Sequence, residues 1–391
     1  LGSHLNPKTR STCKVLGTVS KNTILNILSE KRCVIVCGGG GVGKTTTAAG
    51  LAIAATRVRQ KVLVVTIDPA KRLAEAFGFT QRALEEGGEP LVLSAESKRA
   101  LGIHADVELS VGILNPKYVL DQIVSQTLSP VQSESLKKTM LYTQLSEMVY
   151  GLQEYTAYEW VTRMIKDATY DLIILDTPPS FHAKDFFLVP GKIRNLMESK
   201  VFQLFAPKRG GFFKAVMSFG WIEKLLGEKV YRESRMFLET FSLLRDRILD
   251  RCELLSRFFT QNEVAVVAVT TPESSAMFEL EGLHRFLRER SIHLNAVVVN
   301  QVEQSMTESM LSLADSDDVL GAGDDPLLNS LSPELLGKLH QLEQHQEKRA
   351  EKSHQAVEKC RLKYPEITIV VAPMVYSSDG FEILKKYPAL F

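Results

Sequence analysis

Long apolar stretches are missing from this sequence. No run of about 20 uninterrupted apolar residues occurs in the 391, so no transmembrane helix is expected. No charged segment followed by an apolar stretch stands near the start, and no signal peptide is expected. Cysteine is sparse and scattered. Cys13, Cys33, Cys37, Cys252 and Cys360 form no C-x-x-C pair, which argues against a disulfide framework and for a reducing, cytoplasmic setting. Net charge is nearly absent as well, at +1 from 47 basic and 46 acidic residues. That removes any global electrostatic case for binding nucleic acid or an anionic membrane. No internal repeat stands out.

What is present is ordinary globular composition, 45% hydrophobic and 24% charged, with a marked pattern of short apolar runs. "CVIVCGG" from Cys33, "KVLVVTID" from Lys61, "PLVLSAE" from Pro90, "YDLIILDTPP" from Tyr170, "VAVVAVTTPE" from Val264, "HLNAVVVNQV" from His293 and "ITIVVAPMV" from Ile367 are β-branched and mostly continuous. Strands buried on both faces of a parallel sheet read this way. Helical segments lie between them, so the expected fold is α/β, a mostly parallel sheet of seven or eight strands flanked by helices. Two intervals are too long for simple crossovers. Residues 105–165 and 184–262 are expected to be helical insertions that build a subdomain, on a single domain spanning 23–391 after an N-terminal extension, 1–22. An acidic, Gly-rich loop is expected at 314–326, followed by a polar helix from about Pro333 to Leu362.

The strongest motif is "CGGGGVGKTTT" at residues 37–47. Gly38 to Thr45 fits G-x-x-x-x-G-K-[ST], between an apolar run and an Ala-rich helical stretch, the strand–loop–helix context a phosphate loop requires. Glycines let successive backbone N–H groups curl around phosphate oxygens, and the helix N-terminus adds partial positive charge. Gly40, Gly41, Val42, Gly43, Lys44, Thr45 and Thr46 are therefore the expected nucleotide-binding residues. Lys44 reaches the β- and γ-phosphates, Thr45 ligates Mg²⁺ and Thr46 touches the α-phosphate. Asp68, in "TIDPAKRLAEAFG", ends a strand where open α/β sheets bind ligands. It either orients the attacking water or holds the hydrated metal, or else caps the helix that follows. In "LIILDTPPS", four apolar residues deliver Asp176 to the metal shell. Thr177 to His182 are expected to form a switch that senses the γ-phosphate, with His182 either a switch residue or a packed loop histidine.

On "GGVGKTT", "TIDPAKRLAEAFG" and "DTPPSFHAKDFF" the sequence resembles the family of arsenite-pump ATPases and tail-anchored-protein targeting ATPases, within the deviant phosphate-loop class. "DTPPSFHAKDFFLVPGKI" resembles the bacterial anion-transporting branch. The resemblance implies ATP hydrolysis with Mg²⁺, catalytic roles for Lys44, Asp68 and Asp176, and metal-shell roles for Thr45, Asp68 and Asp176. It places Asn300, Pro373 and Met374 near the adenine base and His182 at the second switch. It also implies a homodimer, or a hetero-oligomer with a paralogue, that handles a protein client with a hydrophobic or membrane segment. No nucleic-acid partner is expected.

The departures from the family pattern narrow this. The family's first loop lysine, which serves the facing protomer's nucleotide, falls on Gly39, and the cations the sequence offers instead are Lys71, Arg72, Lys208 and Arg209. No C-x-x-C lies between 250 and 330, and no metalloid cysteine cluster is visible. Two other functions stay open: the catalytic subunit of an arsenite-type anion-efflux system, which needs soft thiolate ligands, and a partitioning-type positioning ATPase. The apolar residues between Val201 and Leu226 are either a client surface or the subdomain's own core.

Overall fold

The computed structural model describes residues 21–67, 73, 76–79, 90–140, 142–143, 152–177, 184–199, 228–305, 333–376, 380–386 and 391. Residues 1–20 of the expected extension, and the segments 201–226 and 314–326, lie outside them.

The apolar runs form an eight-stranded sheet. In chain order the strands are β1 (Cys33–Gly38), β2 (Lys61–Thr66), β3 (Leu91–Val92), β4 (Glu108–Ile113), β5 (Leu172–Asp176), β6 (Val264–Thr270), β7 (Leu294–Val302) and β8 (Thr368–Pro373). Their order across the sheet is β3-β4-β2-β5-β1-β6-β7-β8. All pairings are parallel except β3 with β4. From β1 the chain builds one side of the sheet through β2 to β5, then crosses to the other side for β6 to β8. That reversal at β1 creates a crevice at the strands' carboxyl ends, where open α/β sheets take ligands.

Burial on both faces explains the continuous apolar runs. Successive side chains of a strand point to opposite faces. Val34, Val36, Val62, Val64 and Ile174 meet α2 (Lys44–Ala55), whose Ala48, Ala49, Ala52 and Ala55 are fully buried and let it lie close to the sheet. Cys33, Ile35, Leu63, Val65, Ile173 and Leu175 meet the opposite layer.

That opposite layer includes the long insertions. Helices Pro116–Thr127, Pro130–Lys137, Leu152–Lys166, Lys184–Glu198 and Glu228–Phe258 fall in the two intervals read as helical. Tyr158, Phe186, Phe187 and Phe259 form their aromatic centre, with Tyr158 and Phe186 ring centroids 4.6 Å apart. Pro190 stands inside the helix Lys184–Glu198. Proline has no N–H to offer the carbonyl four residues earlier. The hydroxyl of Tyr158 donates to that carbonyl, on Phe186, at 2.7 Å, so the polar group freed by the proline is satisfied from a neighbouring helix.

One part of the helical reading is corrected. Glu108–Ile113, inside the interval 105–165, is strand β4, paired in parallel with β2 from Lys61↔Glu108 to Thr66↔Ile113. Its "ELSVGI" alternates polar and apolar residues over six positions, too short and mixed to stand out as a buried run. "PLVLSAE" contributes only Leu91–Val92, antiparallel to β4. The polar helix expected from about Pro333 to Leu362 spans Pro333–Lys363.

Candidate functional site

The crevice beside β1 is where the phosphate loop emerges. Gly38 ends β1, and Gly43 caps α2, with Lys44 its first residue. Gly41 has φ 75° and Gly43 φ 90°, backbone that side chains with a Cβ rarely adopt. At Gly43 space is also excluded, because a Cβ there would overlap Asn300 Nδ2. The Gly43 carbonyl accepts the first helical bond from Thr47 N–H at 2.9 Å. Gly40 and Gly41 are exposed, while Thr45 and Thr46 are half-buried in the first turn of α2. The loop therefore presents its backbone, not side chains, at the N-terminus of a helix, and this is an anion cradle.

Three strand ends converge on the start of α2. Asp176, the last residue of β5, is fully buried, and its Oδ2 accepts from Thr45 Oγ1 at 2.8 Å and from Thr66 Oγ1 at 3.0 Å. Sheet register sets this meeting, for Asp176 pairs with Val36 on β1 and with Thr66 on β2. Thr177 is tied down by its hydroxyl, which donates to Val36 O at 2.9 Å. A threonine hydroxyl and a carboxylate meeting at the loop are hard oxygen donors, the set Mg²⁺ takes beside a phosphate. The residues present fit that ion. Lys44 is buried, and its Nζ donates to Gly39 O at 2.5 Å.

From the other side of β1, β7 braces the loop. Asn300 Nδ2 donates to Val42 O at 2.9 Å and Gln301 Nε2 to Gly41 O at 3.2 Å, with Gln301 itself at φ 59°. Pro373 pairs with Val302 at the end of β8, and Met374 N–H donates to Val302 O at 2.9 Å. The structure thus gathers Gly40 to Thr46, Asp176 and Asn300 around the loop, with Pro373 and Met374 beside the end of β7. Asp68 and His182 lie outside the described residues, as do Lys71, Arg72, Lys208 and Arg209. Thr66 and Gln301 were not singled out from sequence. A threonine two residues before Asp68 carries a signal only once the β2–β5 register is known, and Gln301 follows Asn300 but bonds the loop by its own left-handed turn.

The buried cysteines are chemically quiet. Burial pushes the Cys33 and Cys37 thiols up to about 12, with the Lys44 charge pulling Cys37 the other way, and pushes Cys252 and Cys360 up to about 11. The thiolate is the reactive form and the metal ligand. At pH 8 these four should be alkylated about 10²- to 10³-fold more slowly than a free thiol, which titrates near 8.5. Peptide mapping after iodoacetamide, with and without denaturant, checks this. Fast labelling of any of the four in the native chain would contradict the burial.

Comparison with known proteins agrees with this geometry. A family model described as anion-transporting ATPase matches residues 31–313. Among similar curated proteins, ATPase GET3 of Malassezia globosa is 27% identical over 282 residues, 72% of this chain and 76% of that protein. ATPase ASNA1 homolog 2 of Paramecium tetraurelia is 26% identical over 287 residues, 72% and 79% of the two chains. The ATPase ASNA1 homolog of Entamoeba dispar is 25% identical over 287 residues, 72% and 80%.

Proposed function

This chain belongs to the anion-transporting ATPase family and is an ATP-hydrolysing enzyme, and from that premise we propose that it is a Mg²⁺-dependent nucleotide switch whose turnover drives the handling of a protein client. The observation that carries the reading is the meeting of Lys44, Thr45 and Asp176 at one loop. Lys44 and the loop amides hold the β- and γ-phosphates. Thr45 and Asp176 hold the metal shell, and Mg²⁺ bound there neutralises charge on the phosphates. Asp68, two residues beyond Thr66, orients the attacking water. Asn300, Pro373 and Met374 form the base side, with Asn300 bracing the loop as well. The working unit we infer is one ATPase domain over 23–391 carrying the helical insertions, acting as a homodimer or with a paralogue in the cytoplasm. Its client is a hydrophobic or membrane-protein segment. Among the described residues no helix is long and apolar enough to cross a membrane.

An arsenite-type efflux role has less support. It needs several thiolates around one metalloid, and the four described thiols are buried and held neutral. Neither arsenite nor antimonite is expected to stimulate turnover. The deciding experiment is Asp68→Asn, which should bind ATP yet turn over at least about 10²-fold more slowly, as loss of a positioned base does. It should then retain membrane proteins in an ATP-dependent pull-down. Native turnover in this variant, or several-fold activation of the native chain by antimonite, would count against the proposal.

A further inference from the structure

The start of the phosphate loop borders a cavity that the residues above leave unused. It encloses about 330 Å³, and its wall includes Gly38, Gly39, Val42, Lys184, Glu279 and Gly282. Lys184 is the first residue of the helix Lys184–Glu198. Glu279 and Gly282 come from the helix Ser274–Glu289, three residues apart and so on one face of it. Two glycines make the room. A Cβ on Gly282 would stand 3.1 Å from Lys184 Nζ, and a Cβ on Gly39 would overlap Glu279 Oε2. One ammonium and one carboxylate therefore face a single cavity against the loop backbone. Among the described residues, neither has a hydrogen-bond or ion-pair partner.

This placement has a cost unless something uses it. A half-buried lysine gives up hydration and rotamer freedom, and surface ion pairs return little. A triphosphate on the loop changes the balance. It concentrates negative charge next to Gly39, whose carbonyl already takes the Lys44 ammonium. A second ammonium lining the same cavity as Gly38 and Gly39 is attracted there, most strongly where water is excluded and charge grows on the leaving group.

We propose that Lys184 is a further phosphate-side cation of this ATPase, acting from the Gly39 edge of the loop within one chain, with Glu279 as a carboxylate facing the same cavity. The hydrolysis step is unchanged in its bonds: water attacks the γ-phosphorus, and the bond to the β–γ bridging oxygen breaks. Lys184 contributes positive charge to the phosphate oxygens and keeps its proton. Gly282, lacking a Cβ, leaves room beside the Lys184 ammonium.

The test is steady-state hydrolysis by the full chain carrying Lys184→Met, Lys184→Arg or Glu279→Gln, with equilibrium binding of a fluorescent ATP analogue and a thermal midpoint for each. Loss of one preorganised donor commonly costs about 10²-fold in kcat. Lys184→Met is expected to lower kcat at least about tenfold while binding stays within about threefold, the signature of an interaction made chiefly in the transition state. Lys184→Arg should recover most of the loss, and Glu279→Gln should fall between. Should the Met variant fail to fold, Lys184→Gln is read by the same thresholds. A smaller fall in kcat, or a fall that arginine does not recover, overturns the proposal. Lys44→Ala measured alongside keeps the two readings apart, since native turnover there would sink the phosphate-loop assignment itself, whatever Lys184 does.

Discussion

Lys44→Ala should reduce ATP turnover by at least about 10³-fold, combining loss of a phosphate-side cation with loss of the group that positions the γ-phosphate. The expectation rests on where Lys44 sits. It is the first residue of α2, 6% exposed, at the mouth of a glycine cradle, and its Nζ is held at 2.5 Å from Gly39 O. A buried ammonium costs hydration unless paired, so its presence here points to a site built for an anion. The fold should survive the change. Alanine is a good helix former at that position, and the strands around the loop are held by apolar contacts that do not involve Lys44. A melting midpoint within a few degrees of the native chain, together with turnover below about a thousandth, is the expected pair of results. Turnover above about a tenth of native in a folded variant would mean that the loop is not the hydrolytic site.

The contrast between what the sequence disclosed and what it withheld follows from the range of the interactions. Motifs read along the chain were legible because their chemistry is local. Gly38 to Thr45 carries its own backbone geometry, seen in the positive φ of Gly41 and Gly43, and Asp176 ends a short apolar run that reads as a buried strand. Strand β4 was hidden because "ELSVGI" looks unremarkable alone. It becomes a strand by pairing along the whole of β2, a tertiary gain outweighing weak local preference. Thr66 and Gln301 were hidden for a related reason. Their bonds to Asp176 and Gly41 span more than a hundred positions of sequence, and only sheet register brings them together. Lys184 is the extreme case. Two residues past the expected switch, it sits inside the "DTPPSFHAKDFF" motif without a role of its own there, and its meaning comes from two absent Cβ atoms, at Gly39 and Gly282, on other elements.

That long-range assembly also sets the consequences of changing the carboxylate at the centre of the site. Asp176 is fully buried and accepts from two hydroxyls, Thr45 at 2.8 Å and Thr66 at 3.0 Å. Asp176→Asn keeps the shape and leaves one oxygen able to accept from both threonines, so the three strand ends stay joined. What it removes is the negative charge. A hydrated Mg²⁺ held through Thr45 and a neutral amide is held more weakly, and nucleotide bound without the metal is almost unaffected. Turnover should therefore fall by about 10²-fold or more, and half-saturation by Mg²⁺ should move to higher concentration, while metal-free nucleotide affinity and the melting midpoint change little. Asp176→Ala should behave differently. It removes the acceptor that Thr45 and Thr66 share and opens a small void, a loss of about 2–4 kcal/mol in stability on top of the lost activity. Magnesium titrations of hydrolysis, analogue binding in chelator and urea melts of both variants separate the two effects. An asparagine variant with native turnover and an unshifted magnesium midpoint would remove Asp176 from the metal shell and leave it the structural role alone, tying β2 and β5 to the first turn of α2.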